Sequence, residues 1–164
     1  PEDPFEIAYF DRGPVSADEL LLGGVWSAYW YNGRIYGSEI GRGLDVLQLT
    51  PSEHLSRNEI EAAQLVHDDV FNPQTQARIT WPADFVVARA YLDQLRRTGA
   101  LAPRVAEIAS GLERAEGLSD AGARGRALRE LAGTAEGLVA GASAADRRRL
   151  EGLAETLRAL AGGS

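Results

Sequence analysis

The sequence predicts an α+β chain in which an antiparallel β-meander precedes a small all-α helical bundle. Three observations carry that prediction. Aromatic and β-branched residues concentrate between Trp26 and Leu49, in the stretch WSAYWYNGRIYGSEIGRGLDVLQL, the chemistry that fits a pleated, half-buried surface. Asn32-Gly33 lies inside that stretch and is the pair a type I′ turn selects, because both central residues need φ > 0. After Asp84 the apolar period changes from two to about 3.6 residues, the helical spacing.

At the amino end, Pro1-Glu2-Asp3-Pro4 reads as the tail of a turn entering a strand. The chain is therefore expected to be the carboxy-terminal portion, or a mature piece, of a longer protein. Phe5 to Phe10 (FEIAYF) alternates loosely between Pro4 and Asp11-Arg12-Gly13-Pro14, which predicts a strand. Val15 to Val25 is expected as a loop with Leu20, Leu21 and Leu22 tucked under it. In the meander the turn sets Tyr31 opposite Arg34, Trp30 opposite Ile35 and Tyr29 opposite Tyr36. Trp26, Ala28 and Trp30 then project to one side, and Ser27, Tyr29 and Tyr31 to the other. Rings on both sides suit a sheet covered on both faces. Ile40-Gly41-Arg42-Gly43 makes a second turn into a third strand, Leu44 to Leu49.

Ser56-Arg57-Asn58-Glu59 is a capping box opening a short helix that ends near Val66. His67 to Ala77, with Asn72-Pro73 inside it, reads as an irregular connection. Gln76 to Trp81 (QARITW) has the residue types to return to the sheet. Trp81-Pro82 marks a boundary, since proline disfavours helix at the residue before it. The expected organisation is residues 1–55 as the sheet region, 56–82 as helix and connector, and 83–164 as the bundle.

The first bundle helix carries Phe85, Ala88, Leu92 and Leu95 on one stripe, broadened by Val87 and Tyr91, and Gly99 stops it. Pro103 opens the second, whose face is Val105, Ile108, Leu112 and Ala115, with Gly117 at its end. Ser119 or Asp120 caps the third, which uses Ala127, Leu128, Leu131, Ala135 and Leu138. Ser143 caps the fourth, with Asp146 in its first turn and Leu150, Leu153, Leu157 and Leu160 along its seam. Short loops between four amphipathic helices make an antiparallel bundle the economical arrangement. Gly111, Gly125, Gly133 and Gly137 fall inside these helices, each at about 0.5–1 kcal/mol relative to alanine. They mark either close backbone approach or a frayed third helix.

Composition narrows the function classes. The formal net charge is -7, which disfavours a non-specific nucleic-acid binder or a polybasic membrane anchor. All basic residues are arginine, which reads as coding bias. Cysteine is absent, excluding disulfides, zinc–thiolate sites and thiol nucleophiles. No apolar run is long enough for a transmembrane segment, and no signal peptide is recognisable.

The strand segments WSAYWY, RIYGSE and LDVLQL, leading to Leu49-Thr50-Pro51, resemble one repeat of the LVIVD-repeat β-propeller proteins of bacterial surfaces and secretions. In that family a repeat runs inner strand, tight turn, middle strand, glycine-containing turn and third strand. The resemblance covers roughly the first third of the chain. It implies a partial β-propeller blade, the last of its protein, with FEIAYF as outermost strand of the preceding blade. Upstream propeller blades of the same protein would be its neighbours. The sequence departs from the repeat in that no outer strand directly follows Thr50; an amino-terminal strand closing the circle, or QARITW, would supply it. The helical half is similar to FIMAH-type modules at the carboxy termini of secreted bacterial proteins, through ARAYLDQLRRTGAL and the spaced leucines after it.

These resemblances imply a non-enzymatic scaffold, extracellular or at the cell surface, for interaction with envelope or surface proteins. The alternative is the structural part of a propeller enzyme, or of a metal- or ligand-binding protein, whose site lies in upstream blades. No residue is assigned a catalytic, cofactor-binding or metal-binding role. His67-Asp68-Asp69 is the most metal-like cluster, but it lacks an EF-hand's alternating ligands and glycine, so a solvated loop is expected. His54 is expected at the surface or at a helix entry. Ser27 and Ser38 lack a recognisable His-Asp context. Glu39, Arg42 and Asp45 surround one turn, where an Arg–carboxylate pair fixing the turn is expected over a ligand contact. The aromatic meander is expected to pack between blades more than to stack on sugars. Arg147-Arg148-Arg149 is expected as a solvated helix face, neutralised by Glu113, Glu116 or Glu130.

Overall fold

The meander forms where the turn chemistry places it. In a computed structural model of the chain, describing residues 5–75 and 78–163, β1 (Val25–Tyr31), β2 (Arg34–Glu39) and β3 (Gly43–Leu47) form an antiparallel sheet in the order β1-β2-β3. Asn32 and Gly33 take φ of 45° and 80°, the left-handed pair that a type I′ turn needs. Trp30 pairs with Ile35, Tyr29 with Tyr36 and Tyr31 with Arg34, as the turn register requires. The register slips between Val25 and Ser27, leaving Trp26 at a bulge. Strand β3 stops at Leu47, two residues before the expected Leu49.

The chain divides into two units, Pro1–Thr80 and Trp81–Ser164. In the first unit, α1 (Arg57–Gln64) starts at the reciprocal capping box of Ser56 and Glu59. Helix α1 and the residues after it lie over the hairpin tip. Gly33 is buried, and a Cβ there would come within 3.0 Å of the Gln64 Cγ. The Asn32 amide donates to the Asp68 carbonyl (3.1 Å), and its oxygen accepts from the Asp68 N–H (2.9 Å). Tyr31 adds its hydroxyl to the same carbonyl (2.9 Å) and a ring contact to Phe71.

Three expectations for this unit are corrected. FEIAYF is not a strand: Phe5 and Tyr9 are exposed, and no strand among the described residues pairs with the segment. A strand needs a ladder partner as well as propensity. Leu20, Leu21 and Leu22 are exposed, not tucked beneath their loop. Arg78 to Trp81 does not rejoin the sheet; Gln76 and Ala77, like Pro1 to Pro4 and Ser164, lie outside the described residues.

The second unit contains α2 (Phe85–Thr98), α3 (Ala102–Glu116), α4 (Ala121–Val139) and α5 (Ala144–Gly162). Each helix start has a local cause. Asp84 accepts from the Val86 N–H (2.8 Å), Asp120 from Ala123 (2.6 Å) and Ser143 from Asp146 (3.1 Å). Pro103 sits in the first turn of α3, and Gly99 closes α2 in the left-handed conformation, φ 72°. Helix α3 packs on α2 and α4, and α5 packs on the same two, so the helices close a ring. Inside it Leu95, Ile108, Leu128, Leu150, Leu153 and Leu157 are fully buried. No helix among the described residues is long and apolar enough to cross a membrane.

The helical glycines divide by position. A Cβ on Gly111 would meet Leu131 at 2.5 Å, and one on Gly125 would stand 3.2 Å from the Ala161 carbonyl oxygen of α5. These two sit at close approaches. Gly133 and Gly137 face open space. Gly152 of α5 serves Tyr91, whose ring and hydroxyl fill the room a Cβ would need. Burial, then the Glu155 charge, raises the Tyr91 phenol above its ordinary range.

Two predictions follow from this packing. Leu153→Asp places a charge in the seam and destabilises the bundle by about 3 kcal/mol or more, whereas Arg148→Ala on the exposed face changes little; thermal unfolding followed by circular dichroism reads both. Gly133→Ala, with open space around it, stabilises by about 0.5–1 kcal/mol, and Gly125→Val lowers the Tm by pushing α4 from α5.

Candidate functional site

The polar side chains gather at one end of the sheet. Val25, Glu39 and Gly43 are cross-strand neighbours there, and Ala28, Gly37 and Asp45 form the next row on the same face. Glu39 and Asp45 therefore share a face, and both are about nine-tenths buried, with exposures of 8% and 9%.

What buries them is the segment from Asp11 to Gly24. The Gly24 N–H donates to Glu39 Oε1 (2.7 Å). Arg42 donates through Nη2 to the carbonyls of Gly13 and Pro14, and Arg12 pairs with Asp45 (3.0 Å). Asp11 Oδ1 accepts from the Gly13 N–H (2.8 Å), shaping the bend at Gly13, where φ is 75°. The segment thus acts as a strap held at Arg12, Gly13–Pro14 and Gly24. Its leucines remain outside, which is why Leu20 to Leu22 are exposed.

Between strap and sheet lies a cavity of about 400 Å³. Phe10, Val15 and Val25 give it apolar walls; Glu39, Asp45, Arg12 and Arg42 give it charge. Arg12 and Asp45 satisfy each other, and Arg42 is engaged with carbonyls. Glu39 Oε2 is buried and has no hydrogen-bond partner. The Gly24 N–H holds the Glu39 carboxyl below the ordinary glutamate range against the opposing effect of burial, helped by the amides of Arg42 and Gly41 and by the Arg42 charge. Glu39 is therefore a carboxylate at neutral pH.

The expected Arg–carboxylate pair within the turn is corrected by this arrangement: Asp45 takes Arg12 from outside the meander, and Arg42 takes strap carbonyls. The remaining candidates are dispersed. Asp68 meets the hairpin through its backbone, and no group of three metal-ligating side chains occurs among the described residues. His54 is exposed, 3.6 Å from Glu53, with its ring in a T-shaped contact with Phe5. Ser27 and Ser38 face each other across β1 and β2. Arg149 pairs with buried Asp146 (2.8 Å), and Arg147 and Arg148 are exposed. Glu116, expected to neutralise that run, pairs with Arg89 (2.6 Å) instead. The Gly24–Glu39 and Arg12–Asp45 contacts carry no local sequence signal, because they join a loop to strands far along the chain.

Compared with family models, curated proteins and solved structures, the chain matches none of them. Fold and site together define a two-unit α+β chain whose sheet carries a strap-covered acidic cavity.

The lowered Glu39 pKa fixes the sign of a pH effect. A depressed carboxyl contributes stability above its unfolded pKa and loses it as pH falls through the folded one. The Gly24 amide resonance should therefore hold its position through neutral pH and move only below the ordinary glutamate range, as Glu39 protonates. Glu39→Gln should remove that titration, as read by an amide-detected NMR pH series.

Proposed function

We propose that the chain is part of a non-enzymatic, secreted or cell-surface scaffold. In this reading the sheet is one blade of an LVIVD-type β-propeller, and the helical unit is an accessory module that docks on envelope or surface proteins. One observation carries it: the distribution of uncovered apolar surface. Among the described residues every exposed large hydrophobic except Leu118 lies at or before Trp81. Among the described residues of the first unit the buried hydrophobics are Ile60 and Ala62.

In this reading a neighbour would bind the uncovered face of the sheet. Tyr29, Tyr36 and Val46 form one cross-strand row, with Ser27, Ser38 and Leu44 beside it. Leu44 and Val46 are 65% and 54% exposed, and Trp26 at the bulge is 79% exposed. Stable monomers rarely leave such contiguous apolar surface to water. A blade in a propeller buries it against the next blade, so upstream blades of the same protein are the partner that fits. The extracellular or surface location rests on the resemblance to secreted propellers.

The test uses the full-length protein with a photo-crosslinking phenylalanine analogue replacing Tyr29 or Val46. Intramolecular cross-links to β-rich peptides upstream of the meander are expected in both. Free reaction with solvent at both positions in the intact protein would overturn the blade assignment. Cell fractionation with and without the helical unit tests docking: envelope association unchanged by its removal would remove that role.

A further inference from the structure

We propose that Asn32 is a modification site: a spontaneous deamidation switch whose reaction the α1 segment blocks and whose product cannot hold that segment in place. The switch does not rest on the scaffold reading, because the residues that carry it lie between Tyr31 and Phe71.

The chemistry is intrinsic to the pair. Asparagine before glycine is especially prone to succinimide formation, because glycine has no side chain to hinder attack by its backbone nitrogen. Of the chain's three asparagines, Asn58 precedes glutamate, Asn72 precedes proline, which has no amide proton to give up, and Asn32 precedes glycine. In the reaction the Gly33 nitrogen loses its proton and bonds to Asn32 Cγ. The Cγ–Nδ2 bond breaks, and ammonia leaves with that proton. Water then opens the ring at either carbonyl, giving aspartate or isoaspartate.

The fold holds both reacting groups. The Asn32 side-chain amide is fixed at both ends by the Asp68 backbone, donating to its carbonyl at 3.1 Å and accepting from its N–H at 2.9 Å. Its Cγ cannot swing onto the Gly33 nitrogen while those bonds stand. Gly33 is buried, and Gln64 at the end of α1 lies against it, with Cγ 3.0 Å and Cα 3.6 Å from where a Cβ would be. One segment, Gln64 to Asp68, thus guards electrophile and nucleophile together. Reaction requires that segment to lift, a local opening of the kind folded proteins undergo without unfolding globally. Once reaction has occurred, redocking fails. Aspartate puts a carboxylate oxygen where Nδ2 stood, facing the Asp68 carbonyl, so acceptor meets acceptor. Isoaspartate inserts an extra backbone atom into a turn that fixes the hairpin register.

The experiment incubates the intact 164-residue chain in warm, mildly alkaline buffer and follows conversion at Asn32 by peptide mass spectrometry. The same chain unfolded in guanidinium chloride is the reference. The folded chain should convert at least about tenfold more slowly, since the reactive opened state is a minor one. Tyr31→Phe and Phe71→Ala loosen the segment without touching the reacting pair, and each should move the folded rate toward the reference. Arg148→Ala, in the bundle, should leave it unchanged. Equal rates in the folded and unfolded chain would overturn the guard, and so would a folded rate that neither loosening variant alters. Hydrogen exchange on the separated aspartate and isoaspartate products tests the consequence, with Asn32→Asp as an independent source of the first. Loss of protection at the Asp68 amide, with Leu153 in the bundle unaffected, is expected; Asp68 protection retained in both products would overturn the switch.

Discussion

The left-handed pair at Asn32 and Gly33 is the constraint on which the sheet unit depends. A turn with both residues at positive φ matches the twist of the flanking strands and admits one register. That register puts Tyr29, Tyr36 and Val46 on one face, and Glu39 and Asp45 on the other. A slip of one residue would exchange the two faces, stranding the carboxylates among rings and the rings beneath the strap. Asn32 reinforces its own turn, since its side chain is held at both ends by the Asp68 backbone. The same residue therefore sets the hairpin and attaches the α1 segment to it.

The two units obtain their order by different means. In the bundle, order comes from a dry seam: leucines at helical spacing meet inside a ring, and polar contacts such as Arg89–Glu116 and Arg158–Glu136 lie near its surface. Such surface pairs contribute little. In the sheet unit the weights are reversed. Few hydrophobics are buried, and the connections that join distant segments are hydrogen bonds and an ion pair, at Asn32–Asp68, Glu39–Gly24, Arg42–Pro14 and Arg12–Asp45. Polar contacts of this kind are directional but contribute modestly to net stability.

That difference decides what could be read from the sequence. Local chemistry was legible: the Asn32-Gly33 register, the Ser56–Glu59 capping box, the caps at Asp120 and Ser143, and the seam through Leu150, Leu153 and Leu157 all follow from residues a few positions apart. FEIAYF misled because strand propensity says nothing about whether a partner strand stands beside it. Leu20 to Leu22 mislead because apolarity alone does not imply burial, while the strap is fixed by its glycines and an arginine. The cavity was only half legible. Glu39, Arg42 and Asp45 were singled out as a group, yet Arg12 and Gly24, which define their environment, are joined to them only in three dimensions. Of the helical glycines, spacing alone could not separate Gly125, under an α5 carbonyl, from Gly133, which faces open space.

The ring of helices has a kinetic corollary. Three of its contacts, α2 on α3, α3 on α4 and α4 on α5, join consecutive helices through short loops, and such local contacts form quickly. The fourth joins α2 to α5, and must close a loop containing both intervening helices before its burial is realised. Until then the faces that α2 and α5 bury on each other are wet. Residues on that interface thus bear on the rate at which the ring closes, a quantity that equilibrium stability does not report.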